Sequence, residues 1–185
     1  IETSYLSCPT VAYDPMEIAI KEYCNSKKAI RKKIEITKEY AFTPETKMTG
    51  QIIDNKLLCV KGAYESVLPL CNLEQEIYNK IKDKIDNYSK EGFRVLAVAK
   101  QNNLETIPSA LFESKLDFEG LIALYDPPRY GVKTSLSECY SAGVRVIMIT
   151  GDNGETAKGI AKKINLENYE QVITGNELEK MSDEE

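Results

Sequence analysis

"TKMTGQIIDNKLLCVKG", residues 46–62, decides the fold. Two runs rich in apolar residues flank Asp54-Asn55, so the stretch reads as a β-hairpin turning at that pair. Just before it, "KIEITKEYAF" (33–42) alternates like a further strand. After it, 63–70 reads as a short helix, and 75–91 as the clearest helix of the chain, with Ile77, Ile81, Ile85 and Tyr88 on one face and Gly92 past its end. "FRVLAVAK" (93–100) follows as a buried strand. Upstream, Asp14-Pro15 opens a capped helix reaching Cys24, and a basic run covers Lys27–Lys33. Paired strands with interspersed helices, up to about residue 118, predict an α+β unit built on an antiparallel sheet flanked by helices.

Beyond that point the pattern changes. "LIALYD" (121–126) reads as a strand, Tyr130–Ser141 as a helix closed by Gly143, and "VRVIMI" (144–149) as a strand. Glu155–Ile164 then reads as a helix, "QVIT" (171–174) as a short strand, and the chain closes on an acidic helix start. Strand and helix alternating at this spacing predict a partial parallel α/β segment. The domains expected are therefore 1–118 and 119–185.

Composition narrows the chemistry. The 185 residues carry 29 acidic and 24 basic side chains, a net charge of −5 that argues against a nucleic-acid partner. Histidine is absent, which removes Ser-His and Cys-His nucleophiles and the usual zinc sites. Five cysteines, odd in number and set in apolar segments, read as reduced core residues of a cytosolic compartment. No apolar run reaches the length of a membrane span, and no signal peptide opens the chain.

The motifs each carry a functional and a plain reading. In "VIMITGDNGETAKGIAKKI" (146–164), Thr150, Gly151 and Asp152 sit where an apolar strand passes into a helix, beyond a strand's carboxyl end, where ligands bind. The plain reading is a loop with an N-cap. "DPPR" (126–129) is stiffened by two prolines and reads as a hinge or strut. Lys61, at a strand end and followed by Gly62, meets a phosphate in one reading and is a solvated lysine in the other. Phe42 stands five residues before Lys47, an aromatic face with a nearby cation that suits adenine and its phosphates; alternatively Phe42 is core. Neither G-x-G-x-x-G nor G-x-x-x-x-G-K-[ST] occurs.

"DPMEIAI", Phe42-x4-Lys47, "VKGAYE", "FRVLA", "DPPR" and "MITGDNGETAKGIA" follow one another in the order found in P-type cation-transporting ATPases. The chain resembles the nucleotide-binding domain of such a pump followed by part of its phosphorylation domain, a haloacid-dehalogenase-like fold. Tyr64 departs from the family's usual K-G-A-P-E, which loosens the local turn, and Met16 stands where many relatives carry threonine. The resemblance implies that Phe42 stacks on adenine, Glu17 reaches its edge, and Leu96 packs below it. It implies too that Lys47, Lys61 and Gly62 line the pocket, and that Arg94 contacts the phosphates. Thr150, Gly151 and Asp152 would face the γ-phosphate and the transferred phosphoryl group, with ATP and Mg²⁺ as cofactors.

"TGDN" and K-G-A-x-E resemble the calcium-pump and sodium-pump group, and calcium is the expected ion. The phosphorylated D-K-T-G-T stretch and the G-D-G-x-N-D loop do not occur in residues 1–185. The resemblance therefore implies a soluble piece from the cytoplasmic face of a membrane protein. That piece would bind ATP without hydrolysing it and would work with the remaining phosphorylation, actuator and membrane domains and a transported cation. Removing Lys61 or Arg94 is then expected to weaken ATP binding without moving the melting temperature. A soluble haloacid-dehalogenase-type phosphatase and a non-catalytic interaction domain are the alternatives.

Overall fold

The structure, a computed structural model, describes residues 1–28 and 34–182. Most of the basic run read at Lys27–Lys33, residues 29–33, lies outside the described residues. The hairpin forms where the sequence places it. Strands β2 (Met48–Ile53) and β3 (Leu57–Ala63) pair antiparallel, from Met48 opposite Gly62 to Ile53 opposite Leu57. Asp54, Asn55 and Lys56 make the turn, the first two with φ of 52° and 57°. A tight hairpin needs two such left-handed residues, and Asp and Asn tolerate that conformation better than other residues with a side chain. Strand β1 (Ile36–Tyr40) pairs antiparallel with β2, and β4 (Arg94–Gln101) pairs antiparallel with β3. Strand β5 (Asp117–Leu124) completes a five-stranded sheet in chain order.

The chain forms two compact units, Ile1–Asn79 with Val95–Ile122, and Lys80–Arg94 with Ala123–Glu185. In the first, β2 is buried along its whole length, so both faces of the sheet are covered. On one face Ile53 and Cys59 pack with Leu6 of helix α1 (Glu2–Leu6), joined by Tyr5, Ile36 and Leu57. On the other, Leu111 comes so close to Gly50 that a Cβ there would lie 3.1 Å from its side chain and 2.9 Å from the Cys59 carbonyl. Helix α2 (Pro15–Ser26) starts as its sequence dictates, with proline in the first turn and the Asp14 Oδ1 accepting the Met16 N–H at 2.7 Å. The expected helix at 63–70 is α3 (Tyr64–Val67) running into a 3-10 turn at Leu68–Leu70.

Helix α4 (Gln75–Lys90) buries Ile81, Ile85 and Ser89, one line of residues four apart. Ile77 and Tyr88, expected on the same buried face, are 45% and 41% exposed. Ile77 lies in the first turn, and Tyr88 points about 100° away from Ser89 around the helix, where its ring meets Phe93 edge-on at 5.7 Å. In the second unit helix α6 (Gly154–Ile164) approaches the end of α4 through Gly159. A Cβ at Gly159 would lie within 2.8 Å of the backbone of Ser89, Lys90 and Gly92. Thr156 Oγ1 donates to the Phe93 carbonyl at 3.0 Å beside this contact. Helices α5 (Val132–Ser141) and α7 (Gly175–Leu178) complete the unit.

The parallel α/β segment read beyond residue 118 is not what the structure contains. "LIALYD" supplies the end of β5 in the first sheet, and neither 144–149 nor 171–174 is a strand among the described residues. A strand exists only through a neighbour that takes up its N–H and C=O groups. Lacking one, the apolar run remains irregular, and Ile147 and Ile149 are 66% and 94% exposed. All five cysteines are free thiols; four are buried, and Cys139 is half-buried. Burial pushes the Cys8 and Cys71 thiols up to about 11, which keeps both protonated as packing groups.

Candidate functional site

Lys61 is the best-defined polar residue of the first unit. It sits on β3 opposite Thr49 of β2 and Val98 of β4, on the face that also carries Cys59. Its residue is only 4% exposed. A lysine so deep requires a counter-charge, and the Nζ finds one: it donates to Glu17 Oε1 at 2.8 Å and to Thr49 Oγ1 at 3.2 Å. Glu17 lies in the first turn of α2, where the helix dipole favours a carboxylate. The solvated-lysine reading is thereby excluded, and Glu17 and Lys61 are brought together directly. No motif in the sequence marks Thr49. Pairing residues outward from a two-residue Asp54-Asn55 turn sets position 49 against 60; Lys56 joins the turn as a third residue, and that one-residue shift brings Thr49 opposite Lys61.

Gly62 has a backbone reason to be glycine. A Cβ would collide with the Lys47 carbonyl and come within 2.8 Å of the Met48 Cα. That close approach lets the Ala63 N–H donate to the Lys47 carbonyl at 3.0 Å, while the Lys47 N–H closes back on the Thr43 carbonyl at 2.8 Å. Residues 42–47 thus form a tight loop, with Thr43 and Thr46 hydroxyls 2.9 Å apart inside it and Lys47 at a left-handed φ of 53°. The loop is fastened to β3 beside Lys61. Phe42 is 60% exposed on it, so the reading of Phe42 as core is excluded, and Lys47 is exposed too. Leu96 pairs with Ala63 across β3 and β4 and is half-buried.

The remaining candidates cluster in the second unit. The Arg94 guanidinium pairs with the Asp152 carboxylate, and the Asp152 N–H donates to Thr150 Oγ1 at 3.1 Å. Gly151 has no atom within 4 Å of where a Cβ would stand. Asn153 caps α6, its side chain accepting the Glu155 N–H at 2.9 Å. A guanidinium, a hydroxyl and an open glycine make a corner that suits an oxyanion, provided Arg94 exchanges Asp152 for it. Among the described residues, no three His, Cys, Asp or Glu side chains are grouped to hold a metal ion. The Asp152 carboxylate at this turn is taken up by Arg94, so the donor set here does not suit Mg²⁺.

A second polar row crosses the sheet next to Lys61. Glu39 accepts from Gln51 Nε2 at 2.7 Å on one side, while on the other Lys100 pairs with Glu119 at 2.9 Å and Thr3 Oγ1 donates to Glu119 at 3.1 Å. Burial pushes the Glu119 carboxyl up, but the hydrogen bonds from Lys100 and Thr3 outweigh it and hold the group below its ordinary 4.5. Lys100 is raised, chiefly by its hydrogen bond to Glu119. A depressed carboxyl stabilises the fold above its unfolded value and loses that contribution as pH falls through the folded one. A raised lysine contributes below its ordinary value and loses its contribution as pH rises through the folded one. The melting temperature should therefore fall as the solution is acidified below pH 4.5, and Glu119→Gln should flatten part of that fall. Parallel acid titrations of both proteins followed by thermal melts check this; identical slopes would contradict it.

Residues 9–131 match the family model described as "P-type ATPase, cytoplasmic domain N". The chain is 34% identical over 201 residues to the sodium/potassium exporting P-type ATPase cta3 of Schizosaccharomyces pombe, covering 93% of this chain and 19% of that protein. It is 34% identical over 191 residues to calcium-transporting ATPase 1 of Bacillus cereus, covering 93% and 22%. A probable cation-transporting P-type ATPase of Mycoplasma genitalium matches at 34% over 177 residues, covering 90% and 20%. The chain spans about a fifth of the length of these curated relatives.

Proposed function

This chain belongs to the family of P-type ATPase cytoplasmic N domains, and on that premise we propose that it binds the adenine nucleotide of an ATP-driven cation pump. The observation that carries the reading is the arrangement at the end of β3. There a buried cation, Lys61, is held by Glu17, beside a rigid loop that offers the exposed ring of Phe42 and the charge of Lys47. In this reading Phe42 stacks on the adenine ring, Glu17 accepts from its edge, and Leu96 supports the ring from below. Lys47 and Lys61 take phosphate oxygens, and Gly62 keeps the backbone low enough for the loop to close. In the second unit Arg94 and the Thr150–Gly151–Asp152 turn take phosphoryl oxygens. Stacking on an aromatic face and charge-assisted contacts to phosphate are the two terms that bind a nucleotide.

Residues 1–185 contain no D-K-T-G-T, and in this reading the parent pump forms its aspartyl-phosphate outside them. These residues thus bind ATP and leave it intact. No described helix is long and apolar enough to cross a membrane. On the family's likeness alone, the chain would work at the cytoplasmic face beside the pump's membrane, actuator and remaining phosphorylation domains. Calorimetric titration should give a Kd for ATP of about 0.1–5 mM, worth about 3–5.5 kcal/mol, with no phosphate released above the buffer blank. Absent binding heat at these concentrations, or steady phosphate release, contradicts the proposal. We assign calcium as the transported ion on the motifs "TGDN" and "KGAYE". Full-length protein in sealed vesicles should accumulate Ca²⁺ on addition of ATP, and accumulation of Na⁺ in its place would reassign the ion.

A further inference from the structure

We propose that Thr49 is a positioning residue for the nucleotide site, holding the Lys61 ammonium in place when Glu17 turns to the ligand. The inference rests on the nucleotide reading above. A lysine ammonium has three N–H donors and no acceptor. Lys61 gives one to Glu17 and one to Thr49, which leaves a third for a phosphate oxygen. Its two acceptors differ in how firmly they are held. Glu17 stands on the first turn of α2 with its side chain 13% exposed and a carboxylate that can rotate toward a new donor. Thr49 is 6% exposed in β2, paired opposite Lys61 on β3, one residue beyond the last pair between β2 and β1.

The orientation of the Thr49 hydroxyl is fixed as well. Its single proton goes to the Ser7 carbonyl at 2.9 Å, so a lone pair, rather than the O–H, is what Lys61 meets. Ser7 is itself anchored: it is fully buried at the end of α1, its N–H donates to the Thr3 carbonyl at 2.9 Å, and its hydroxyl donates to the Ser4 carbonyl at 2.9 Å. The chain of contacts from Ser7 through Thr49 to Lys61 thus has one direction. When adenine draws Glu17 away, Thr49 remains as the fixed acceptor that keeps the ammonium aimed. Without it, Lys61 has only Glu17 to satisfy it, and the ion pair competes with the phosphate.

The test is a calorimetric titration of ATP and of AMP into the wild type, Thr49→Val and Thr49→Ser. Valine keeps the shape and removes the acceptor; serine keeps the acceptor. Thr49→Val should weaken ATP about tenfold, the loss of one hydrogen bond to a charged group, while AMP changes less than about twofold, and Thr49→Ser should recover ATP to within about threefold. Unchanged ATP affinity in Thr49→Val, equal losses for ATP and AMP, or no recovery in Thr49→Ser would each overturn the proposal. If Thr49→Val does not fold, Thr49→Ala takes its place with the same expectations. A wild type that binds no ATP removes the nucleotide reading but leaves Thr49 testable by NMR. The Lys61 ammonium signal should be protected from solvent exchange in the wild type and Thr49→Ser and lost in the variant without a hydroxyl, and protection persisting in that variant would overturn the positioning role.

Discussion

Lys61→Met should lose about 3–5 kcal/mol of folding stability, because it removes one partner of a buried ion pair and leaves the other charge behind. Glu17, with its side chain 13% exposed, and the Thr49 hydroxyl both point at the Lys61 amine. Methionine fills the space of the alkyl chain and offers neither of them a proton. For a chain of this length the loss corresponds to a fall of about 6–20 °C in melting temperature. Partial rehydration of Glu17 at the start of α2 places the result toward the lower end. The double variant Lys61→Met with Glu17→Leu should recover much of the loss, since it removes both charges together. This outcome replaces the expectation, natural for a lysine at a strand end, that removing Lys61 would affect ligand binding alone. A single variant melting with the wild type would mean that Lys61 is solvated and the pair is not formed. Arg94, 47% exposed on its side chain, still behaves as the sequence suggests, and Arg94→Ala should leave the melt close to the wild type.

The sheet was legible because its decisive hairpin combines two independent signals, a turn pair that accepts left-handed backbone and flanking runs whose residues pack on both faces. The turn pair locates the hairpin but not its register: Lys56 is a third turn residue, and it is this shift by one that faces Thr49 with Lys61. The start of α2 was equally plain, since Asp14 and Pro15 each favour one specific place at a helix N-terminus. The second unit was misread for a physical reason. An apolar run such as Val144–Ile149 announces burial, and its neighbours announce alternation with helices, but strand formation needs a partner strand, and the sequence of one segment does not say whether that partner is at hand. In the same way "LIALYD" carries the composition of any buried strand, and the choice between opening a parallel sheet and closing the antiparallel one is made by tertiary pairing.

Within the candidate site, residue types were readable and their surroundings were not. Gly62 stands out as a glycine after a lysine, yet its cause is the Lys47 carbonyl, fifteen residues earlier, crossing beneath it. Lys61 stands out as a cation, yet its burial depends on Glu17, which arrives from a different element. Phe42 could be core or ligand face, and only the loop that Lys47 fastens to Ala63 decides for exposure. Arg94 and Asp152 carry separate roles in the sequence reading and meet as an ion pair.

Phe42→Ala separates the nucleotide reading from every structural one. Phe42 is 60% exposed, so removing its ring should change folding stability by no more than about 0.5 kcal/mol. Base–aromatic stacking is worth about 1–3 kcal/mol, equivalent to a loss of about 5–150-fold in affinity. ATP, ADP and AMP share the ring and should all weaken by the same factor, whereas Arg94→Ala should weaken ATP more than AMP. The most direct measurement is therefore calorimetric titration of ATP, ADP and AMP into the wild type and Phe42→Ala, with thermal melts on the same samples. Equal losses for the three nucleotides in a variant that melts like the wild type are the predicted result; unaltered affinities in that folded variant would contradict an adenine site at Phe42.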